Sequence, residues 1–506
     1  MAKSRTEKVI KNVVFNISME VIKLVCGLIL PKLILSNFGS EYNGIVQSVS
    51  QFISCIALMK LGIGSVTVAA LFKPLMNKDD DEMSRVLAST EHFMRRIGVI
   101  FVAFVLIFAC IYPLFISTEF DWLFSFSLIL IISISTFAEY YFGFTYQMLV
   151  SADQKNYIIS ALSIVTVILN TVVSVILINM NFSIHIVKLG SSLVNIISPL
   201  YLYFYCHKHY NIKKIPKNEV KPLAQRWDAF AHEAASFIND NTDVMILTVF
   251  TNLKEVSVYT VYHYVVVNLK KVLTSFVASF GSAFGDMYAR NELELMNRNL
   301  RVFELIVYSF GTVIYSVALV MLVPFVVLYT SGVEDVNYIR QGFAVVIMIA
   351  GIFDIFRYPY KQIINCTGHY RNTRNIAIIE AVINISVSLV MVYKFGLVGV
   401  AFGTMFTMIF GAVRYSYYVM KHILEKSVVG TYFHMFISLV TMFAVFFISR
   451  VYVSNDITII GWIIDAVITG VISLLLVGIT GFVLYRKDFR FMCDKLLKVF
   501  RKKLGK

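Results

Sequence analysis

The sequence is poor in charge. Asp, Glu, Lys and Arg make up only 15% of its 506 residues, where a soluble globular chain carries nearer a quarter. That shortage excludes an ordinary soluble domain with polar side chains on every outer face. Acid is scarcer than base, with 31 Asp and Glu against 45 Lys and Arg, a net charge of +14. Cysteine is sparse and scattered, at Cys26, Cys55, Cys110, Cys206, Cys366 and Cys493. These form no metal-type pair and mostly lie in or beside apolar runs, so free thiols are expected rather than a disulfide framework. Catalytic signatures are missing too. The sequence has no phosphate-cradling glycine loop with its lysine, no paired-histidine zinc helix and no nucleophile elbow, so an enzyme is not expected. Sequons at Asn16, Asn365 and Asn384 fall in or beside apolar runs and carry no information.

What the chain has in abundance is apolar length. Hydrophobic residues are 58% of it. A hydrocarbon core of roughly 30 Å needs about 20 apolar residues as a helix. Fourteen such segments are expected, at 12–36, 43–72, 94–116, 122–150, 156–179, 183–205, 227–250, 255–282, 303–329, 338–364, 375–394, 398–420, 432–453 and 459–485. All are read as helices, because a backbone in lipid must satisfy its own hydrogen bonds. The basic start from Met1 to Lys11 leads into a span too long for a signal-peptide core, so no cleavable leader is expected.

The breaks between spans alternate. One set is basic: Lys3, Arg5, Lys8 and Lys11, then Lys73 to Arg96, His207 to Arg226, Arg290 to Arg301, Arg371 and Arg374, Lys421 and Lys426, and the tail. The other holds Glu41, Glu119, Asp121, Glu255, Glu334, Asp335 and Asp456 with few cations. The positive-inside rule places both termini in the cytoplasm, which an even span count requires. The excess of base therefore reads as membrane topology, with no nucleic-acid partner. The acidic run Asp79 to Glu82 reads as a solvated helix start. The tail 486–506 is either an interfacial amphipathic helix on anionic lipid or an ordinary basic flank.

The chain also repeats itself. Leu35-Ser36-Asn37-Phe38 matches Leu247-Thr248-Val249-Phe250, Tyr112-Pro113-Leu114-Phe115 matches Val323-Pro324-Phe325-Val326, and Tyr146-Gln147-Met148-Leu149 matches Lys361-Gln362-Ile363-Ile364. The offset of about 212 to 215 residues covers six spans, so the two copies are parallel repeats. The expected division is an N-terminal six-helix lobe (1–206), a basic linker (207–226), a C-terminal six-helix lobe (227–421), two extra transmembrane helices (422–485) and a basic tail (486–506).

Ionisable residues inside spans are costly and mark function by default. The basic ones are Lys23, Lys60, Lys270 and Lys271. Facing a central cavity, they make a site for an anionic head group such as phosphate. Against this, Lys60 can snorkel, Lys270 and Lys271 are adjacent and point differently, and Glu20 can pair with Lys23. The seventh span is the most polar, with His232, Glu233, Asn239, Asp240, Asn241 and Asp243. Asp240 and Asp243, with Glu380 and Asn384 on the eleventh span and Thr404 on the twelfth, supply oxygens suited to a sodium ion, or a carboxylate for a proton. The bland alternative is a structural polar network between helices. Asp354 and Arg357 are three apart and suited to pair. Tyr259, Tyr262 and Tyr264 are suited to sugar contact, belt or packing. Glu139, Lys188 and Asp465 have no assigned role.

Four segments carry a family resemblance: Phe38-Gly39-Ser40-Glu41-Tyr42-Asn43-Gly44; Val256-Ser257-Val258-Tyr259-Thr260-Val261-Tyr262; Arg357-Tyr358-Pro359-Tyr360 with Gly368-His369-Tyr370-Arg371-Asn372-Thr373; and Gly396-Leu397-Val398-Gly399-Val400-Ala401-Phe402-Gly403-Thr404. With their order and the span count, the whole chain resembles the polysaccharide-flippase branch of the multidrug/oligosaccharidyl-lipid/polysaccharide (MOP) exporter superfamily. The resemblance implies a V-shaped pair of six-helix lobes plus two helices. It implies flipping of an undecaprenyl-pyrophosphate-linked oligosaccharide to the outer leaflet of the cytoplasmic membrane, for capsule or another surface polysaccharide. By helix and rough position, it implies head-group cations at Lys23, Lys60 and Lys270 or Lys271. In the same way it implies a sodium site drawn from Asp240 or Asp243, Glu380, Asn384 and Thr404. Lipid-linked oligosaccharide and membrane lipid are the expected partners, with polymerase and ligase machinery as further candidates. A monomer is expected, with no cofactor beyond a coupling sodium ion or proton. The rival reading is a drug or organic-cation antiporter of the same superfamily, whose cavity should be acidic and aromatic.

Overall fold

A computed structural model describes residues 5–60, 62–116, 119–216, 227–278, 281–453 and 458–486. Among these residues the chain is helical and contains no strand. The elements are α1 (Arg5–Phe38), α2 (Ser40–Ser54), a 3-10 turn (Cys55–Lys60), α3 (Ile63–Asn77), α4 (Asp80–Phe115), α5 (Trp122–Ala138), a π-turn (Glu139–Gly143), α6 (Phe144–Ala152), α7 (Asn156–Asn179), α8 (Ile184–His209) and α9 (Trp227–Phe250). They continue with α10 (Leu253–Ala278), α11 (Gly281–Ala289), α12 (Leu293–Tyr329), α13 (Gln341–Thr367), α14 (Tyr370–Phe395), α15 (Leu397–Tyr418), α16 (Val429–Ser449) and α17 (Ile459–Leu484).

Eleven of the described helical segments are long and apolar enough to cross a membrane, which makes this a polytopic all-α membrane protein. They correspond to eleven of the fourteen segments expected from the sequence. The other three, at 43–72, 227–250 and 255–282, are helical but differ in character. The first is broken: α2 stops at Ser54, tightens into the 3-10 turn ending at Lys60, and resumes at Ile63. Gly62 makes the break at φ +80, a left-handed conformation that costs glycine little. The other two, α9 and α10, are diluted by polar side chains, including Asn241 and Asp243 on α9 and His263, Lys270 and Lys271 on α10.

The acidic run does start a helix. Asp79 caps α4 by accepting from the Glu82 amide at 2.9 Å, and three acids occupy the first turn, where the helix dipole favours negative charge.

The chain divides into two compact units. The first comprises Met1–Phe237 with Asn252–Ser257, and the second Ile238–Thr251 with Val258–Lys506. In the first unit, α2, α4 and α5 share a core that includes Ile45, Val49, Phe101 and Leu128. Tyr112, buried in it, donates to Ser48 Oγ at 2.8 Å. In the second unit α13 is the most enclosed span, 72% buried in its apolar window. Its charged side chains therefore have protein, not lipid, to answer them. The windows of α1 and α17 are only 11% and 17% buried, leaving long apolar faces for lipid.

Helix α15 packs tightly on α14 because it carries small residues at four-residue intervals, Gly399, Gly403, Thr407 and Gly411. A Cβ at Gly403 would collide with Ser388 Oγ and stand 2.8 Å from the Asn384 carbonyl. This close approach sets Asn384 beside Thr404.

Candidate functional site

In the second unit, helices α9, α10, α13 and α15 enclose a cavity of about 60 Å³. Asp243, Tyr259, His263, Lys270, Asp354 and Thr404 are its polar lining. Two networks meet here. In one, Asp243 Oδ2 accepts from Tyr259 Oη at 2.8 Å and from Thr404 Oγ1 at 2.7 Å, and Asn384 Nδ2 reaches Thr404 Oγ1 at 3.4 Å. Asn384 is fully buried, and its Oδ1 receives no hydrogen bond. An acceptor left bare at that depth fits a small cation, as do the neighbouring carboxylate and hydroxyl oxygens. The described residues contain no group of three or more His, Cys, Asp or Glu side chains that could hold a metal ion.

The second network is ionic. Lys270 Nζ lies 2.7 Å from Asp354 Oδ2. Arg357 Nε donates to Asp354 Oδ1 at 2.7 Å, and Arg357 Nη1 donates to Glu380 Oε1 at 2.6 Å. Tyr415 Oη closes the chain on Glu380 Oε2 at 3.1 Å, and Lys361 stands over the Tyr415 ring at 5.4 Å. Arg357 and Glu380 are almost wholly buried, so each charge needs its partner to remain in the protein.

The two networks sort the sequence-nominated residues. Asp243, Asn384 and Thr404 come together around one carboxylate. Glu380, one turn from Asn384 on α14, turns its carboxylate to Arg357 and Tyr415 instead. Lys270 lines the cavity, whereas its neighbour Lys271 is exposed and absent from that lining. The side chain of Asp240 lies outside the described residues. Arg357 was expected only as a partner of Asp354; its bond to Glu380 joins α13 to α14, and no local sequence spacing announces it.

The first unit holds the other two nominated lysines. Lys23 is half-buried on α1. Lys60, at the end of the 3-10 turn, lies 3.0 Å from Glu139 Oε1 and 4.7 Å from the centre of the Tyr140 ring, a cation–π contact. Glu139 opens the π-turn between α5 and α6, a helix irregularity common at functional sites. It also lines a second cavity, of about 380 Å³, with Ser135, Thr136, Gln147, Ser163 and Asn195 among the other side chains. The sequence reading left Glu139 without a role. One signal was available: Glu139 and Asp354 stand 215 residues apart, at the repeat offset. Their lysine partners Lys60 and Lys270 are 210 apart, close to the same offset.

No protein-family model matches the chain, and no curated protein matches it. Solved structures do. The lipid II flippase MurJ, in an inward closed conformation, superposes with a TM-score of 0.70 at 14% identity, covering 94% of this chain and 99% of that one. An inward-facing multidrug resistance MATE family transporter of the MOP superfamily gives 0.61 at 14% identity, covering 79% and 96%. A MOP superfamily transporter from Pyrococcus furiosus, described as having a binding pocket of reverse polarity, gives 0.58 at 14% identity, covering 82% and 96%. The fold of this chain is that of the MOP superfamily transporters.

Proposed function

We propose that this protein is a flippase that carries an undecaprenyl-pyrophosphate-linked oligosaccharide from the inner to the outer leaflet of the cytoplasmic membrane by alternating access, for surface polysaccharide assembly. It acts as a carrier, with no bond made or broken. The observation that carries the reading is the placement of Lys60 and Lys270. In each unit a lysine within an apolar stretch stands against a carboxylate, Lys60 3.0 Å from Glu139 and Lys270 2.7 Å from Asp354. A lysine so held can exchange a carboxylate for a phosphate without geometric demand. The likeness over the whole chain to a lipid II flippase supports the same reading. Both termini then lie in the cytoplasm, as the basic breaks require.

A coupling sodium ion is part of the proposal. Asp243, Asn384 and Thr404 would hold it, and its entry would relieve the bare Asn384 oxygen. Glu380, engaged by Arg357 and Tyr415, is not needed for it.

The test is leaflet accessibility of lipid-linked oligosaccharide in proteoliposomes, with the wild type and with a Lys60→Ala/Lys270→Ala variant. Losing two charge-assisted contacts should lower the rate at least about tenfold. A variant that flips at the wild-type rate removes the anion site from the proposal. Dye efflux without lipid movement would hand the function to the antiporter reading, which the MATE likeness and the Asp243 carboxylate favour.

A further inference from the structure

The larger cavity of the first unit is more polar than helix packing requires. Its volume of about 380 Å³ lies at the small end of the range for sites that take small organic ligands. Six polar side chains line it: Ser135 and Thr136 from α5, Gln147 from α6, Ser163 from α7, and Asn195 and Ser198 from α8. None of the six makes a hydrogen bond to another described residue. Hydroxyls in apolar helices commonly fold back on their own main chain. Thr166, in the same lining, does so, donating to the Leu162 carbonyl at 2.9 Å, and Ser133 donates to the Leu130 carbonyl at 2.7 Å. The six keep their donors and acceptors for something other than the protein.

Local sequence shapes the cavity. Gly143 ends the π-turn, and a Cβ there would stand 2.7 Å from Pro199 Cβ, so its lack of a side chain lets α8 approach. Pro199, inside α8, has no amide hydrogen, so the Asn195 carbonyl loses its usual helical donor.

The lining also selects by chemistry. Its one ionisable member is Glu139, which Lys60 already answers at 3.0 Å. It includes no aromatic side chain. An aromatic cation therefore finds neither a ring to stack on nor an unpaired carboxylate. A sugar is neutral, and its hydroxyls both donate and accept. It finds hydroxyl and carboxamide partners on α5, α6, α7 and α8. Glu139 ties the cavity to the anion site, because it lines the one and pairs with Lys60 of the other. A pyrophosphate drawn to Lys60 brings its attached sugar to this cavity.

We propose that the cavity of the first unit binds the sugar residue joined directly to the pyrophosphate, through Asn195, Gln147 and the serine and threonine hydroxyls. The volume is too small for a chain of several sugars. The site therefore reads the first sugar and leaves the rest of the glycan unread. The inference rests on the anion-binding reading of Lys60.

The experiment compares probes with and without a sugar. The purified full chain is titrated by calorimetry with farnesyl pyrophosphate, and with the same lipid carrying glucose, galactose or N-acetylglucosamine on its pyrophosphate. At least one sugar should tighten binding by about tenfold, the yield of a few neutral hydrogen bonds. Asn195→Leu and Thr136→Val each replace a polar group by an apolar one of like size. Each should reduce that gain and leave the affinity for farnesyl pyrophosphate unchanged, whereas Lys60→Ala should weaken every probe. No gain from any of the three sugars, or a gain that survives both substitutions, overturns the sugar site and leaves the anion reading standing. Equal weakening of bare and sugar-bearing probes by Asn195→Leu and Thr136→Val overturns it as well. Saturable binding of free glucose, with no gain on the lipid probes, assigns the cavity to a soluble sugar and removes it from head-group recognition. No binding of any lipid probe by the wild type overturns the anion reading and the sugar site with it.

Discussion

Lys270 Nζ sits 2.7 Å from one oxygen of Asp354 while Arg357 Nε sits 2.7 Å from the other. One carboxylate thus answers two cations of unequal permanence. Arg357 is almost wholly buried and shared with Glu380, while Lys270 is part-exposed on a cavity. The arginine is the enclosed member of the pair and the lysine the one that faces the cavity.

Arg357→Ala should therefore be the most damaging change in this network. It leaves Asp354 and Glu380 buried without their shared cation, a loss of about 3–5 kcal/mol. Thermal unfolding in detergent should show a large drop in midpoint. Lys270→Ala should shift the midpoint far less, because Asp354 retains Arg357. Equal drops for the two variants would contradict the division of roles.

Sodium should stabilise the protein and potassium should not. With the ion at about one hundred times its dissociation constant, linkage gives about 2.7 kcal/mol. Asp243→Asn removes the charged oxygen that Tyr259 and Thr404 converge on, and should abolish the sodium-dependent rise in unfolding temperature. Glu380→Gln, whose carboxylate is engaged by Arg357 and Tyr415, should keep it. A sodium response that survives Asp243→Asn would place the ion elsewhere.

The packing of α15 on α14 makes its own prediction. Gly403→Ala puts a Cβ against Ser388 and the Asn384 carbonyl, and overpacking of this kind costs about 1–3 kcal/mol. Because the same contact sets Asn384 beside Thr404, the variant should also weaken the sodium response. Full stability together with an unchanged sodium response would show that the helices can separate freely there.

Glu119, in the turn between α4 and α5, gives a pH dependence. Burial pushes its carboxyl above the ordinary range, and the Leu253 amide at 3.3 Å only partly opposes this. A carboxyl raised on folding binds its proton more tightly in the folded state. Its contribution to stability is therefore best at low pH and declines as pH rises through the ordinary value toward the raised one. Glu119→Gln should unfold at a higher temperature than the wild type at neutral pH, and the gap should close as pH falls below the ordinary carboxyl range. A gap that widens on acidification has the wrong sign for this account.

Much of the architecture was legible in advance because bilayer thickness imposes one length on every span and lipid allows the backbone few solutions. The sequence also marked candidate site residues, since Lys60, Lys270, Asp243, Asn384 and Thr404 stand out as polar groups in apolar surroundings. It did not separate Glu380 from Asn384. They share a face of α14, and only the arrival of Arg357 from α13 and Tyr415 from α15 draws the carboxylate away. It passed over Glu139 as well, because a single acid in an apolar run is ambiguous until its partner is known.

By itself, then, the sequence determined that the chain is a train of membrane helices, which breaks are basic, and which few ionisable side chains fall within apolar runs. These follow from local hydropathy, which needs no neighbours. The tertiary structure alone decided who answers whom: Lys60 with Glu139, Lys270 and Arg357 with Asp354, Tyr259 and Thr404 with Asp243. Charge pairing inside a membrane depends on distances of about 3 Å between different helices, and those are set by how the helices pack.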